Sequence, residues 1–264
     1  MFQHSKKQLM SLFLLTATGL TVAQSADAAL ALDRTRVVLN GGDKSVSLGV
    51  TNQNRELPFL AQAWVEDAQG KKLTDPLTAL PPVQRIEPGS KTQVKVQTTP
   101  AMNLLAQDKE TLFYFNLLAQ DKETLFYFNL REIPPKTDKP NTLQIALQTR
   151  IKLFYRPAGL AVNPSDKPWQ EQMTLTHQGD HYVANNPTAY YISIVEVSPS
   201  LKGAAIKSFK PVLVAPKSSA PLGSSANEMG NNPVVTYIND FGGRPKLIYR
   251  CGGNNCTVQS TQAG

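Results

Sequence analysis

Beyond the amino-terminal stretch, the side chains that come nearest to reactive chemistry are His177 and His181 and the pair Cys251 and Cys256. Histidines four apart suit a metal site on a helix. Here they flank a Gly179-Asp180 turn, so they read as two exposed histidines. The cysteines sit in Cys251-Gly-Gly-Asn-Asn-Cys256. A redox centre favours Cys-x-x-Cys and a zinc site needs further ligands close by, and neither accompanies them. A pair flanking a Gly/Asn turn reads instead as a hairpin disulfide, worth about 2 kcal/mol for so short a loop. There is no Gly-x-Ser-x-Gly elbow, phosphate-cradling loop or His-Glu-x-x-His motif. The expectation is a protein that is not an enzyme, with no catalytic residue, metal or cofactor; a hydrolase reading has no nominated nucleophile.

The surrounding pattern is alternation. Ser45-Val46-Ser47-Leu48-Gly49-Val50, Gln93-Val94-Lys95-Val96-Gln97 and Leu143-Gln144-Ile145-Ala146-Leu147 each place apolar residues at every second position. Period two marks half-buried strands. Turn clusters such as Asn40-Gly41-Gly42-Asp43, Glu87-Pro88-Gly89-Ser90 and Pro134-Pro135 through Asn141 separate them, and no stretch of a dozen residues keeps a helical period. Short strands at this spacing predict an all-β sandwich architecture.

At the amino terminus, Lys6 and Lys7 precede the apolar run Leu9–Leu15, and Ala26-Asp27-Ala28 follows. This is the pattern of a secretory signal peptide over residues 1–28, and its apolar run is too short to span a bilayer. Losing two lysines and one aspartate with it lowers the formal net charge from +7 to +6. The remaining cations are scattered singly, which argues against nucleic acid as a partner and suits a soluble surface or an acidic protein partner. The remaining length of about 235 residues suits two sandwiches, with a break at Arg156-Pro157-Ala158-Gly159. The expected domains are 29–157 and 158–264.

Residues 103–115 and 116–128 are identical, each reading Asn-Leu-Leu-Ala-Gln-Asp-Lys-Glu-Thr-Leu-Phe-Tyr-Phe. Solenoids need three or more diverged units, so this is one strand-and-turn unit copied once. The second copy is expected to form the strand, because it runs directly into Asn129-Leu130-Arg131-Glu132-Ile133.

A set of longer segments carries a family resemblance. They are Leu32-Asp33-Arg34-Thr35-Arg36, Leu60-Ala61-Gln62-Ala63-Trp64, Pro81 through Gly89, Leu125 through Pro135, Ile151 through Pro157, Asn186-Pro187-Thr188 and Tyr237-Ile238-Asn239-Asp240. In them the chain resembles the periplasmic pilus chaperones. The resemblance implies two immunoglobulin-like β-sandwich domains set in an L with an interdomain cleft, a fold and a strand-lending mode known for that family. It implies pilins and adhesins as partners, delivery to an outer-membrane usher, and neither nucleic-acid binding nor membrane insertion; whether the chain self-associates when empty is left open. By the same resemblance Leu143, Ile145 and Leu147 form a donor strand, although alternation alone favours their facing the chain's own core. Arg36 and Lys152 match the cations that anchor a subunit's terminal carboxylate. Glu123, Arg156 and Asp240 match an interdomain charge network, with Glu110 occupying the same local sequence as Glu123. A structural or adhesive pilus sandwich is the alternative reading.

Overall fold

The computed structural model describes residues 28–100, 102, 120–138, 140, 143–163 and 165–264. The expected signal peptide therefore lies, but for Ala28, outside the described residues. So does the first copy of the repeat, with residues 116–119 of the second.

The first half contains β1 (Leu30–Leu32), β2 (Arg36–Asn40), β3 (Ser45–Asn52), β4 (Phe59–Asp67) and β5 (Lys72–Leu73). These are followed by β6 (Leu77–Leu80), β7 (Val83–Ile86), β8 (Lys91–Thr98), β9 (Thr124–Ile133) and β10 (Gln148–Arg156). One sheet runs β1-β3-β8-β6 and the other β2-β10-β9-β4-β5, with β7 also pairing β4. Alternation decides what lies between them: Leu48 and Val50 of β3 and Val94 and Val96 of β8 are buried, whereas Gln93, Lys95 and Gln97 are exposed. From the opposite sheet Leu39, Val65, Phe126, Phe128 and Leu153 complete the core. The second copy of the repeat supplies this central strand, since β9 opens with Thr124-Leu125-Phe126-Tyr127-Phe128.

The second half contains β11 (Thr174–Gln178), β12 (His181–Asn186), β13 (Ile192–Ser198) and β14 (Val212–Val214). It ends with β15 (Ser218–Ser225), β16 (Val234–Ile238), β17 (Lys246–Gly252) and β18 (Asn255–Gln262). The eight form one hydrogen-bonded path, β14-β13-β16-β17-β18-β11-β12-β15. Register shifts at His181/Val183, Ile194/Glu196 and Ile248/Tyr249 mark irregularities of the kind that bend strands. The path closes over Met173, Leu175, Ile192, Ile194, Leu222, Val235, Tyr237 and Leu247. Tyr249 is buried there as well, with its hydroxyl donating to the Met173 carbonyl at 3.1 Å.

One predicted strand begins later than its pattern suggested. Residues 143–147 alternate like a strand, yet β10 starts at Gln148. A strand needs a partner for its backbone groups. The Leu147 carbonyl accepts from Glu132 N at 2.9 Å, and among the described residues the backbone of 143–146 joins no ladder.

Candidate functional site

The site grows from the pairing of two strands. β2 runs parallel to β10, with Arg36 opposite Lys152, Val38 opposite Phe154 and Asn40 opposite Arg156. Because β-strand side chains alternate, Ile151, Leu153 and Tyr155 enter the first core, and Lys152, Phe154 and Arg156 project from the opposite face. The second domain lies against that face. The turn at Gly41 holds the junction close: its N–H donates to the Arg156 carbonyl at 2.7 Å, and a Cβ there would stand 2.6 Å from Ala158 N.

Arg36 is buried and donates Nη1 to the Ile238 carbonyl at 3.0 Å, across the domain junction. Its Nε is buried with no partner. The Nε–Nη2 edge, the side of a guanidinium that makes parallel bonds to a carboxylate, therefore has no hydrogen bond among the described residues. Half-buried Lys152 sits beside it, and no hydrogen bond or ion pair of its ammonium is found among the described residues. Burial, with the charges of Arg36 and Arg150, holds the Lys152 ammonium below its ordinary value. Burial likewise lowers the Arg36 guanidinium, against the pull of Asp240 and Glu123. Two adjacent, partly desolvated cations with no ion pair of their own among the described residues favour an anion between them.

Upstream of Lys152 on the same chain, Leu143 is 83% exposed and Ile145 57%, with Leu147 half-buried. These side chains do not enter the core of their own domain. Ordinary exposed leucines need no explanation, but these stand on a backbone that joins no ladder over 143–146 among the described residues.

A second charge group fastens the junction. Arg156 donates Nε and Nη2 to Glu123 Oε1 at 2.9 and 2.7 Å, and Nη1 to Asp240 Oδ2 at 2.9 Å. The other Glu123 oxygen accepts the Tyr191 N–H at 2.8 Å, and the Glu123 N–H donates to the Ala189 carbonyl at 2.8 Å. Burial raises the Glu123 carboxyl although Arg156 pulls the other way. A pair desolvated to this degree specifies geometry more than it adds stability. Asp240 is presented by a turn in which Asn239 Oδ1 accepts from Phe241 N and Gly243 N, at 3.0 and 2.8 Å. Gly242 completes that turn at φ +86° against Thr35, a backbone suited to glycine. Glu110, the local twin of Glu123, lies outside the described residues.

A cavity of about 1130 Å³ adjoins these groups, lined among others by Arg36, Arg156, Trp169, Tyr237 and Asp240. Several of the contacts were not expected from sequence. Phe154 stacks on Tyr191 at 5.5 Å between ring centres, and the Arg36 guanidinium lies over Phe154 at 5.9 Å. Arg156 lies over both Trp169 and Tyr190 at 5.1 Å. The adjacent Tyr190-Tyr191 pair just after Asn186-Pro187-Thr188 is the one sequence signal that could have found them.

Cys251 and Cys256 form a disulfide across the β17–β18 hairpin. His177 and His181 fall on the paired strands β11 and β12, where the His177 ring packs edge-on to Tyr182 at 5.2 Å.

Comparison with known proteins covers nearly the whole described chain. Residues 29–119 and 116–161 match the model described as pili and flagellar-assembly chaperone, PapD N-terminal domain, in two segments that overlap within the repeat. Residues 168–249 match pili assembly chaperone PapD, C-terminal domain. The chain is 47% identical to a probable fimbrial chaperone YfcS of Escherichia coli K12, over 95% of this chain and 92% of that one. It is 46% identical to the chaperone protein PapD of Escherichia coli, over 93% and 96%. Among solved structures, the periplasmic chaperone SfaE aligns with a TM-score of 0.61 at 25% identity, covering 89% of this chain and 98% of that one. The Pseudomonas aeruginosa CupB2 chaperone aligns at 0.63 and 27%, covering 84% and 100%.

Proposed function

From its membership of the PapD-type pili assembly chaperones, the family to which this chain belongs, we infer how it handles its partners. The chain is a chaperone of pilus assembly, of a family of chaperones and not of enzymes, and pilus subunits are its partners. A pilin or adhesive sandwich is not favoured, since both chaperone domains are matched on one chain.

Arg36 and Lys152 together take the carboxyl terminus of a subunit. The single observation that carries this reading is that, among the described residues, the buried Arg36 Nε and the ammonium of neighbouring Lys152 both lack a partner. A carboxylate there receives parallel bonds from the arginine and a point charge from the lysine. With its terminus held, the subunit strand is set in register against 143–147, and Leu143, Ile145 and Leu147 enter its open core while the backbones pair. Left empty, the same edge invites a second copy of the chain.

Glu123, Arg156 and Asp240 hold the two domains, 29–157 and 158–264, so that the cleft keeps its width. The leader-like residues 1–28 direct the protein to the periplasm, where it passes subunits to the outer-membrane usher. In the described residues no helix is long and apolar enough to cross a membrane. Co-expression with a pilus subunit tests the reading. A soluble 1:1 complex is expected from the intact pair, and a subunit lacking its terminal residues should escape capture; equal capture of both would refute the anchor.

A further inference from the structure

The contacts around the anchor close into a circuit. Ile238 O receives Arg36 Nη1 at 3.0 Å, and the Arg36 guanidinium rests over Phe154. Phe154 stacks on Tyr191, whose N–H is held by Glu123 at 2.8 Å. Glu123 binds Arg156, and Arg156 binds Asp240, two residues beyond Ile238. The circuit crosses the junction repeatedly, because Arg36, Phe154, Glu123 and Arg156 belong to the first domain and Tyr191, Ile238 and Asp240 to the second.

We propose that Tyr191 is a positioning residue for the subunit-carboxylate anchor: its ring backs Phe154, which supports the Arg36 guanidinium, and its amide ties that support to the Glu123–Arg156–Asp240 network. An arginine side chain has many rotamers, and bidentate recognition needs its plane fixed. The one bond from Nη1 to Ile238 leaves the guanidinium free to tilt about that contact. The face of Phe154 removes the tilt, by the attraction of a cation to an aromatic ring. Phe154 in turn keeps its plane because Tyr191 lies on it with an interplanar angle of 30°. No hydrogen bond of the Tyr191 hydroxyl is found among the described residues, so the ring is the part that acts.

This inference rests on the anchor reading, and its test separates the two. The probe is the synthetic C-terminal peptide of a pilus subunit that co-purifies with the chain, made as the free acid and as the terminal amide. Affinity of each for the mature chaperone is measured by calorimetry. Wild type should prefer the acid strongly; equal binding of acid and amide would refute the anchor, and the inference with it. Given that preference, Tyr191→Ala should shrink the acid-to-amide ratio by about tenfold, whereas Tyr191→Phe should keep it within about twofold. Phe154→Leu should shrink it as Tyr191→Ala does, and serves if the latter fails to fold. A ring that only stabilises the domain junction would weaken acid and amide alike. An unchanged ratio in Tyr191→Ala and Phe154→Leu would overturn the proposal.

Discussion

Arg36 and Ile238 meet across the domain junction at 3.0 Å, side-chain Nη1 to backbone carbonyl, so the second domain aims a cation that the first domain supplies. The bond uses Nη1 and leaves the buried Nε without a partner among the described residues. An Arg36→Ala chaperone should fold, with its circular dichroism unchanged, and lose about 2 to 5 kcal/mol of subunit binding, enough to abolish a complex that survives gel filtration. Arg36→Lys should recover only part of this, because an ammonium lacks the planar fork. Wild-type complex yields from Arg36→Ala would remove the residue from the anchor.

Lys152 predicts a pH dependence. Its pKa in the empty cleft lies below the ordinary value of 10.5, with burial as the first cause. A carboxylate placed against it favours the charged form and raises the pKa again. Binding therefore takes up protons at alkaline pH, so affinity is full below the depressed value and falls as pH rises through it toward 10.5. Calorimetric titration from about pH 7 to about pH 10 should show this decline. Lys152→Arg should remove it.

Ile145, 57% exposed, and its neighbour Gln144 provide a matched pair of substitutions. Ile145→Asp should leave the melting temperature of the empty chaperone nearly unchanged, within about 0.5 kcal/mol of stability, since the side chain is outside its own core. Bound to a subunit, the same aspartate enters an apolar groove and should weaken the complex far more than Gln144→Glu. Equal effects of the two on affinity would show that the assigned facing is wrong.

Glu123→Ala leaves Arg156 buried with Asp240 as its remaining carboxylate. Removing one member of a buried pair typically destabilises by about 3 to 5 kcal/mol. The loss should appear at the domain junction, so two unfolding steps are expected in place of one, and small-angle scattering should register a wider distribution of domain orientations. A single unfolding transition at the wild-type temperature would mean the network does not hold the domains.

The Cys251–Cys256 bond closes a loop of sequence separation 5. Cys251→Ser with Cys256→Ser should lower stability by about 2 kcal/mol and leave subunit capture intact, because neither cysteine lines the cavity beside Arg36, Arg156 and Asp240. Loss of capture at full stability would assign the hairpin to the binding surface.

Much of this was legible in the chain itself. Alternation in β3 and β8 predicted which residues turn inward, because a sandwich core takes every second side chain from each strand. Arg36 and Lys152 were legible only through the family resemblance, since an isolated cation on a strand looks the same whether it lies in a cleft or in solvent. The segment 143–147 shows the limit of periodicity. Its pattern announces a strand, but whether that strand finds its partner within the chain depends on what lies beside it, and β10 begins only at Gln148. The repeat posed the same kind of question. Two identical copies have identical local preferences, and long-range pairing of Tyr127 and Phe128 with β4 and β10 selects the second. Thus sequence alone determined the alternation of strands such as β3 and β8, the hairpin disulfide as an expectation and the family resemblance. Tertiary structure alone decided that Arg36 reaches Ile238 and that Tyr191 lies on Phe154 and binds Glu123, because these contacts join residues up to 202 positions apart, where no local propensity acts.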